Sequence, residues 1–266
     1  MLDRLDVYLK THGLLESREM AQTAIKGGSV LVNGKKITKC SYAVKDTDKV
    51  ELLPSAELKY VSRAGLKLEK AITQFNIDFS GKVMLDIGSS TGGFTDCALQ
   101  NGAKLVFAVD VGTDCMHPTL KADPRVKLFE QTNVLKAPSE LFGKAQIITI
   151  DVSFVSITKI LTKLKHEQTT ALIVALLKPQ FEVGKELSAK FKGVIKDATA
   201  HQQVIANYQD FLKANGFALL NFCPSPIKGT EGNTEYLSLL QYGTAGGITL
   251  SREDIKNIAK IALAEK

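Results

Sequence analysis

Two apolar runs in this 266-residue chain each end on a single charge: IITID closes on Asp151 and ALIVALLK closes on Lys178. A strand that is apolar up to its last residue carries that residue to one edge of a sheet, where an ionised side chain is costly unless an opposite charge meets it. Two further groups are available as partners, Lys67 in YVSRAGLKL and Glu235 in GNTEYLSLL. Two amines and two carboxylates can neutralise one another and still leave one amine beside a substrate hydroxyl. That is the chemistry of a hydroxyl losing its proton as it attacks an electrophile.

The second constellation is LDIGSSTGGFTD, residues 85–96, which contributes Asp86, Gly88, Ser90, Gly92, Gly93 and Phe94 as ligand-binding candidates. A phosphate loop of the G-x-x-x-x-G-K-[ST] type is disfavoured, because no lysine follows Gly92-Gly93, and the spacing departs from the dinucleotide pattern G-x-G-x-x-G. The acid inside the strand end discriminates further. Asp86 is expected to face the mouth of the loop, where a carboxylate repels pyrophosphate but accepts from an ammonium. Asp110 ends the next strand, where it can accept both hydroxyls of a ribose. An ammonium and a ribose without phosphate point to S-adenosylmethionine as the expected cofactor. The helix predicted over TDCALQNGA would turn its N-terminus to the cofactor's carboxylate, and Asn133 is a candidate for the adenine edge. Cys40, Cys97, Cys115 and Cys223 are too scattered for a zinc or disulfide framework, so no metal is expected.

These residues need a sheet to position them. Helix GLKLEKAITQF is followed by KVMLDIG, KLVFAVD, RVKLFE, AQIITID and TALIVALLKP, apolar strands separated by helical or irregular stretches. That alternation predicts a parallel α/β sheet with helices on both faces and ligands at the strand ends. FALLNFCPSP and EYLSLLQY can add an antiparallel pair, giving a Rossmann-like sheet of seven strands. The tail SREDIKNIAKIALAEK predicts an amphipathic helix packing through Ile255, Ile258, Ile261 and Leu263. His117, His166 and His201 read as surface or packing residues. Lys185, Lys190, Lys192 and Lys196 form a loop that either covers a polyanion or is merely solvated.

The first sixty residues differ in character. Residues 1–45 hold eight Lys or Arg against four acids, so most of the net charge of +6 sits there. LDVYLKTHG reads as a short helix with Leu2 among its apolar residues. SREMAQTAIKG reads as a second helix capped by Ser17, and SVLVNGKKITK as a hairpin turning at Asn33-Gly34, with DKVELL as a further strand. Arg4, Arg18, Lys26, Lys35 and Lys36 would rim this small α+β body, and Arg63 and Lys228 flank the segments of the charged constellation. PSAELKY reads as a linker, which divides the chain into domains at 1–58 and 59–266. No apolar run approaches the ~18 residues of a membrane span. MLDRLDVYLK lacks a signal peptide's apolar region, so a cytoplasmic protein without a membrane partner is expected. The oligomeric state is open.

R-L-D at Arg4 and the pattern S-R-x-x-A-x-x-x-I-x-x-G-x-V-x-V-N-G from Ser17 to Gly34 resemble the S4 RNA-binding domain. YVSRAGLKL, LDIGSSTGGFTD, AVDVG, QTN at 131–133, DVSFVS, LLKPQFEVGK, GVIKD and GNTEY, in that order, resemble the TlyA family, which joins an S4 domain to an FtsJ-like methyltransferase domain. The resemblance implies a Lys-Asp-Lys-Glu tetrad of Lys67, Asp151, Lys178 and Glu235. It also implies an RNA 2′-O-methyltransferase acting on cytidines of 23S or 16S ribosomal RNA, with ribosomal RNA or ribosomal subunits as partners, and carries an older label, haemolysin. Lys178 is the expected contact of the 2′-hydroxyl, with its role as base or positioning group left open. Two other readings compete: a non-enzymatic RNA-binding protein with a degenerate catalytic domain, and a membrane-active haemolysin. The intact glycine loop and four tetrad residues weigh against the first, and the lack of a long apolar segment against the second.

Overall fold

A computed structural model describes residues 2–15, 17–53, 59–184, 193–229 and 231–264, and the chain divides into two compact units, Met1–Arg63 and Ala64–Lys266. The linker residues 54–58, with the expected domain boundary, and Lys185, Lys190 and Lys192 lie outside the described residues.

In the first unit, β1 (Leu2–Arg4) leads into α1 (Leu5–Thr11) and α2 (Arg18–Lys26). Ser17 caps α2 as expected, its Oγ accepting from the Met20 N–H at 3.1 Å. β2 (Val30–Val32) and β3 (Lys35–Lys36) form the hairpin. Asn33 and Gly34 both take positive φ, 52° and 74°, as a type I′ turn requires. β5 (Val50–Leu52) pairs with the other side of β2. Leu5, Leu9, Ala21, Ala24, Ile25, Val30, Val32 and Val44 form the core. One expectation is corrected: Leu2 is not helical. Residues 2–4 pair antiparallel with β4 (Ala43–Lys45), and ladder hydrogen bonds to that distant segment outweigh the local helical periodicity.

The second unit opens with α3 (Ala64–Phe75) and then builds the sheet from β6 (Val83–Ile87), β7 (Leu105–Val109), β8 (Val126–Phe129), β9 (Ile147–Ile150), β10 (Leu172–Leu177), β11 (Phe217–Pro224) and β12 (Tyr236–Tyr242). The order is β11-β12-β10-β9-β6-β7-β8. Strands β8, β7, β6, β9 and β10 are mutually parallel, and β12 joins β10 and β11 antiparallel. Residues of β9 are buried without alternation, because a parallel sheet is covered on both faces. The chain adds β7 and β8 on one side of β6 and β9 and β10 on the other. A crevice therefore opens at the carboxyl ends of β6 and β9, where such sheets bind ligands.

The terminal helix Arg252–Ala264 packs against β11 and against the helix Ala198–Ala214, but through Ile255, Ala259 and Ala262, with Ile258 half-buried. Ile261, expected on the packed face, is exposed. Positions 255, 259 and 262 share a helical stripe that residue 261 does not, and the small alanines allow close approach.

Candidate active site

Four elements deliver the charged constellation. Lys67 lies in the first turn of α3, on the face that also buries Leu68, Ala71 and Phe75. Asp151 follows β9, Lys178 follows β10 with Pro179 opening the next turn, and Glu235 precedes β12. Lys67, Lys178 and Glu235 are all buried, and the Asp151 side chain is 13% exposed. Lys178 Nζ sits 2.5 Å from Asp151 Oδ1 and 3.4 Å from Ser153 Oγ. Lys67 Nζ lies 3.4 Å from Asp151 Oδ2 and 2.7 Å from Glu235 Oε2. The groups thus form a chain, Glu235–Lys67–Asp151–Lys178, in which Asp151 gives one oxygen to each amine.

The electrostatics follow from that order. Burial by itself would discharge Lys67, but Asp151 and Glu235 outweigh it and hold the ammonium above the ordinary lysine value. Burial would likewise raise Asp151, yet Lys67 and Lys178 hold it below the usual carboxylate range. The site is a desolvated, mutually neutralised network with one end, Lys178, beside the crevice edge.

The glycine loop packs directly against this network. Gly88 has φ +83°, and a Cβ there would stand 2.5 Å from the Asp151 carbonyl oxygen, so only glycine lets the loop approach. Gly92, φ +97°, opens α4 (Gly93–Gln100). Asp110 Oδ2 accepts from the Ser90 N–H at 2.8 Å, and Oδ1 from the Gly112 N–H at 2.7 Å. Each oxygen keeps a lone pair for a further donor. Ser89 Oγ, inside the loop, is buried without a hydrogen-bond partner.

Two sequence expectations, for Asp86 and Phe94, are corrected here. Asp86 does not face the loop mouth: it is fully buried under the loop, accepting from Thr95 Oγ1 at 2.7 Å and Thr149 Oγ1 at 2.8 Å. Desolvation pushes it up to about 6 despite those two bonds. It ties α4 to β9 and supports the loop from below. Phe94 is 3% exposed, packed inside rather than lining the crevice. His201, read from sequence as a surface or packing residue, is a packing residue with hydrogen-bond partners. Nε2 meets the Ile195 carbonyl, which only accepts, so Nε2 carries the proton and Nδ1 accepts from Tyr236 Oη at 2.7 Å.

Among the remaining candidates, Asn133 is exposed and its Oδ1 accepts from the Leu135 N–H. Arg4, Arg18, Lys26, Lys35, Lys36 and Arg63 are exposed and belong to the first unit. Lys228 is half-buried in the second unit, next to Gly229, whose missing Cβ leaves room for Glu235 Oε1.

Sequence reasoning missed two residues, one in the loop after β9 and one beyond β10 that holds this loop. Phe154 is 92% exposed with φ +65°, three residues from Asp151, and its ring tilts against Phe181 at 5.4 Å. A bulky side chain in the left-handed region is uncommon and strained, and nearly complete exposure leaves little beyond the Phe181 ring to offset that. Glu182 locks the same loop to the end of β10, accepting from Ser156 Oγ at 2.6 Å and the Ile157 N–H at 2.8 Å, and burial pushes its carboxyl up. The signal for Phe154 was an aromatic in VSFVS just beyond a strand end; that for Glu182 was too weak to find.

Comparison with known proteins gives the family. The description FtsJ-like methyltransferase matches residues 60–242, and S4 domain matches residues 3–50. The chain belongs to the TlyA family of FtsJ-like methyltransferases. It is similar to YqxC of Bacillus subtilis, provisionally named an rRNA methyltransferase, at 42% identity over 98% of this chain and 94% of that one. A Mycobacterium tuberculosis relative named 16S/23S rRNA (cytidine-2′-O)-methyltransferase TlyA is 34% identical over 98% of this chain and 97% of the relative. A solved structure from Streptococcus thermophilus, provisionally described as a hemolysin, superposes with TM-score 0.75 at 38% identity, covering 98% of this chain and 95% of that one. The S4 and methyltransferase assignments expected from sequence are thereby met. Among the described residues no helix is long and apolar enough to cross a membrane.

Proposed function

We propose that this methyltransferase moves a methyl group from S-adenosylmethionine to the 2′-hydroxyl of a cytidine in ribosomal RNA. The observation that carries this reading is the buried network Glu235–Lys67–Asp151–Lys178 at the strand ends, in contact through Gly88 with the glycine loop. The residues present fit the cofactor. Asp110 has a spare lone pair on each oxygen for the ribose hydroxyls, Ser89 Oγ is buried and unsatisfied, and the first turn of α4, from Gly93, offers backbone N–H groups to a carboxylate. When bound, S-adenosylmethionine supplies a methyl group on a sulfonium that departs as a neutral thioether.

The chain's own residues handle the acceptor. Asp151 and Ser153 take two of the three donor directions of Lys178 Nζ and leave one side of it for the ribose oxygen. As the oxygen forms its bond to the methyl carbon, its proton passes to Lys178, whose ammonium has first released a proton to solvent at the crevice. Asp151 and Glu235 keep Lys67 charged, and that fixed positive charge holds Asp151 in place for Lys178. General-base help of this kind is worth about 10² to 10⁴-fold, and alignment of the reacting atoms more. Phe154, exposed at the same edge, suits stacking of an unpaired base, and the basic first unit suits phosphate contacts.

The test is transfer of labelled methyl to ribosomal subunits and protein-free ribosomal RNA, followed by mapping of the modified nucleotide. Lys178→Ala is expected to lose at least ~10²-fold in kcat while binding S-adenosylmethionine with unchanged affinity. Retained turnover would remove Lys178 from the mechanism, and absence of incorporation into any ribosomal RNA by the unmodified chain would overturn the proposal.

A further inference from the structure

Asp6 is an unexpected residue to find buried. It lies on α1 in the basic first unit, wholly inaccessible, while most charges of that unit are on the surface. Its two oxygens gather four donors. Arg4 grips it with both ends of the carboxylate engaged, Nε to Oδ1 at 2.9 Å and Nη2 to Oδ2 at 3.2 Å. Arg18 Nε reaches Oδ2 at 2.9 Å and Gln22 Nε2 the same oxygen at 3.1 Å. The two arginines come from either side of α1: Arg4 directly precedes it and Arg18 opens α2, capped by Ser17. The arginine side chains themselves remain 50% and 51% exposed.

This arrangement costs more than a core needs. A buried carboxylate with charged partners is rarely more stabilising than apolar packing. It does accomplish one thing that apolar packing cannot, because two guanidiniums that would repel each other are held side by side on a single oxygen. Arg18 meets Asp6 through Nε, so its Nη groups are not committed to that carboxylate. The pair carries a net charge of about +1 with the carboxylate counted, on half-exposed forks whose rotamers are already chosen. Arginine forks match phosphate oxygens in pairs, and ordering them before binding removes an entropy cost from association. The guanidiniums also hold the Asp6 carboxyl well below the usual carboxylate range, so the clamp stays charged at any working pH.

We propose that Asp6 is a positioning residue that sets Arg4 and Arg18 as a preformed clamp for a backbone phosphate of RNA. The inference rests on the proposed RNA substrate and deepens it, since it assigns a negative side chain a favourable role in binding a polyanion. That gives the test an unusual sign. Asp6→Asn raises the net charge of +6 by one. Charge counting alone therefore expects tighter binding and a steeper salt dependence. The clamp expects the reverse, because an amide keeps one accepting oxygen where the carboxylate has two, and in either orientation its N–H₂ is aimed at a guanidinium that now donates to the carboxylate.

The experiment measures affinity of the full chain for protein-free ribosomal RNA by fluorescence anisotropy between about 50 and 200 mM salt. Asp6→Asn is expected to bind at least ~10-fold more weakly, with the slope of log K against log salt smaller by about 0.7 to 0.9 for each phosphate no longer neutralised. Arg4→Gln/Arg18→Gln is expected to lose at least as much, and adding Asp6→Asn to that pair is expected to change nothing further. Thermal unfolding of each variant shows whether the first unit is still folded. If Asp6→Asn does not fold, Arg18→Lys decides: it keeps the charge and loses the fork, so undiminished affinity and slope would overturn the clamp. Affinity of a folded Asp6→Asn equal to or above that of the unmodified chain would overturn it too. Where the unmodified chain methylates ribosomal RNA, that result sinks the clamp alone; failure of the unmodified chain to bind RNA sinks the RNA substrate with it.

Discussion

Replacing Asp151 by Asn should expose how the tetrad is held together. Asp151 faces Lys178 at 2.5 Å and Lys67 at 3.4 Å. At an effective dielectric of about 20 these contacts are worth roughly 7 and 5 kcal/mol gross. Most of that is offset by the desolvation of three charges, and removing one member of a buried pair typically costs about 3–5 kcal/mol. Lys67 keeps Glu235 at 2.7 Å and Asp151 retains some exposure, so the lower end, about 3 kcal/mol, is expected. For a unit of this size that is a fall of roughly 6–12 °C in unfolding midpoint. The pH dependence has a definite sign. Asp151 is depressed in the folded chain, so its contribution is present above the unfolded value near 4 and is lost as pH falls through the folded value. The stability gap between Asp151→Asn and the unmodified chain should be full at neutral pH and close below about 4. Calorimetry across that range, together with Asp151→Asn/Lys178→Met, checks the reasoning. The double variant removes both charges of the 2.5 Å pair and should be more stable than the two single effects summed. Additivity within about 0.5 kcal/mol, or a gap that does not depend on pH, would refute the account of a mutually charged network.

Other outcomes follow from individual side chains. Phe154→Ala removes an exposed, strained aromatic, so stability should stay within about 0.5 kcal/mol while kcat/KM for RNA falls by roughly 1–3 kcal/mol of stacking; an unchanged kcat/KM would free Phe154 of any role. Gly88→Ala places a methyl 2.5 Å from the Asp151 carbonyl oxygen at φ +83°, and titration calorimetry should show at least ~10-fold weaker S-adenosylmethionine binding. Asp86, raised to about 6 in the folded chain, favours its protonated form there, so the stability it contributes is present below about 4 and lost as pH rises through about 6. Asp86→Asn, neutral at every pH and able to bond Thr95 and Thr149, should therefore gain on the unmodified chain above pH 6; an equal gap at pH 5 and pH 8 would contradict the shift.

Much of the site was legible because its groups sit where elements end. Asp151 and Lys178 each interrupt an apolar strand, and Lys67 sits on a helix face otherwise made of Leu68, Ala71 and Phe75, so each broke a pattern that periodicity had established. The Ser17 cap and the Asn33-Gly34 turn were legible because their requirements are local. Asp86 was misjudged for the opposite reason. Its partners, Thr95 and Thr149, stand nine residues and sixty-three residues away, and nothing in LDIG says which way the carboxylate turns. Leu2 was misjudged because three residues pair with Ala43–Lys45 across the unit, and Ile261 because the helix rotated to present its alanines.

By itself the sequence determined what depends on neighbours along the chain: the strand and helix alternation, the capped helix and hairpin, the glycine loop and the identity of the four charged groups. The tertiary structure decided which of those charges touch. That Asp151 stands between two lysines, that Asp86 lies beneath the loop instead of in it, and that Asp6 gathers two arginines all arise from segments brought together by packing. Burial turns such contacts from weak surface pairings into an organised site, because only a desolvated charge must have its partner, and which partner it finds is set by how strands and helices stack.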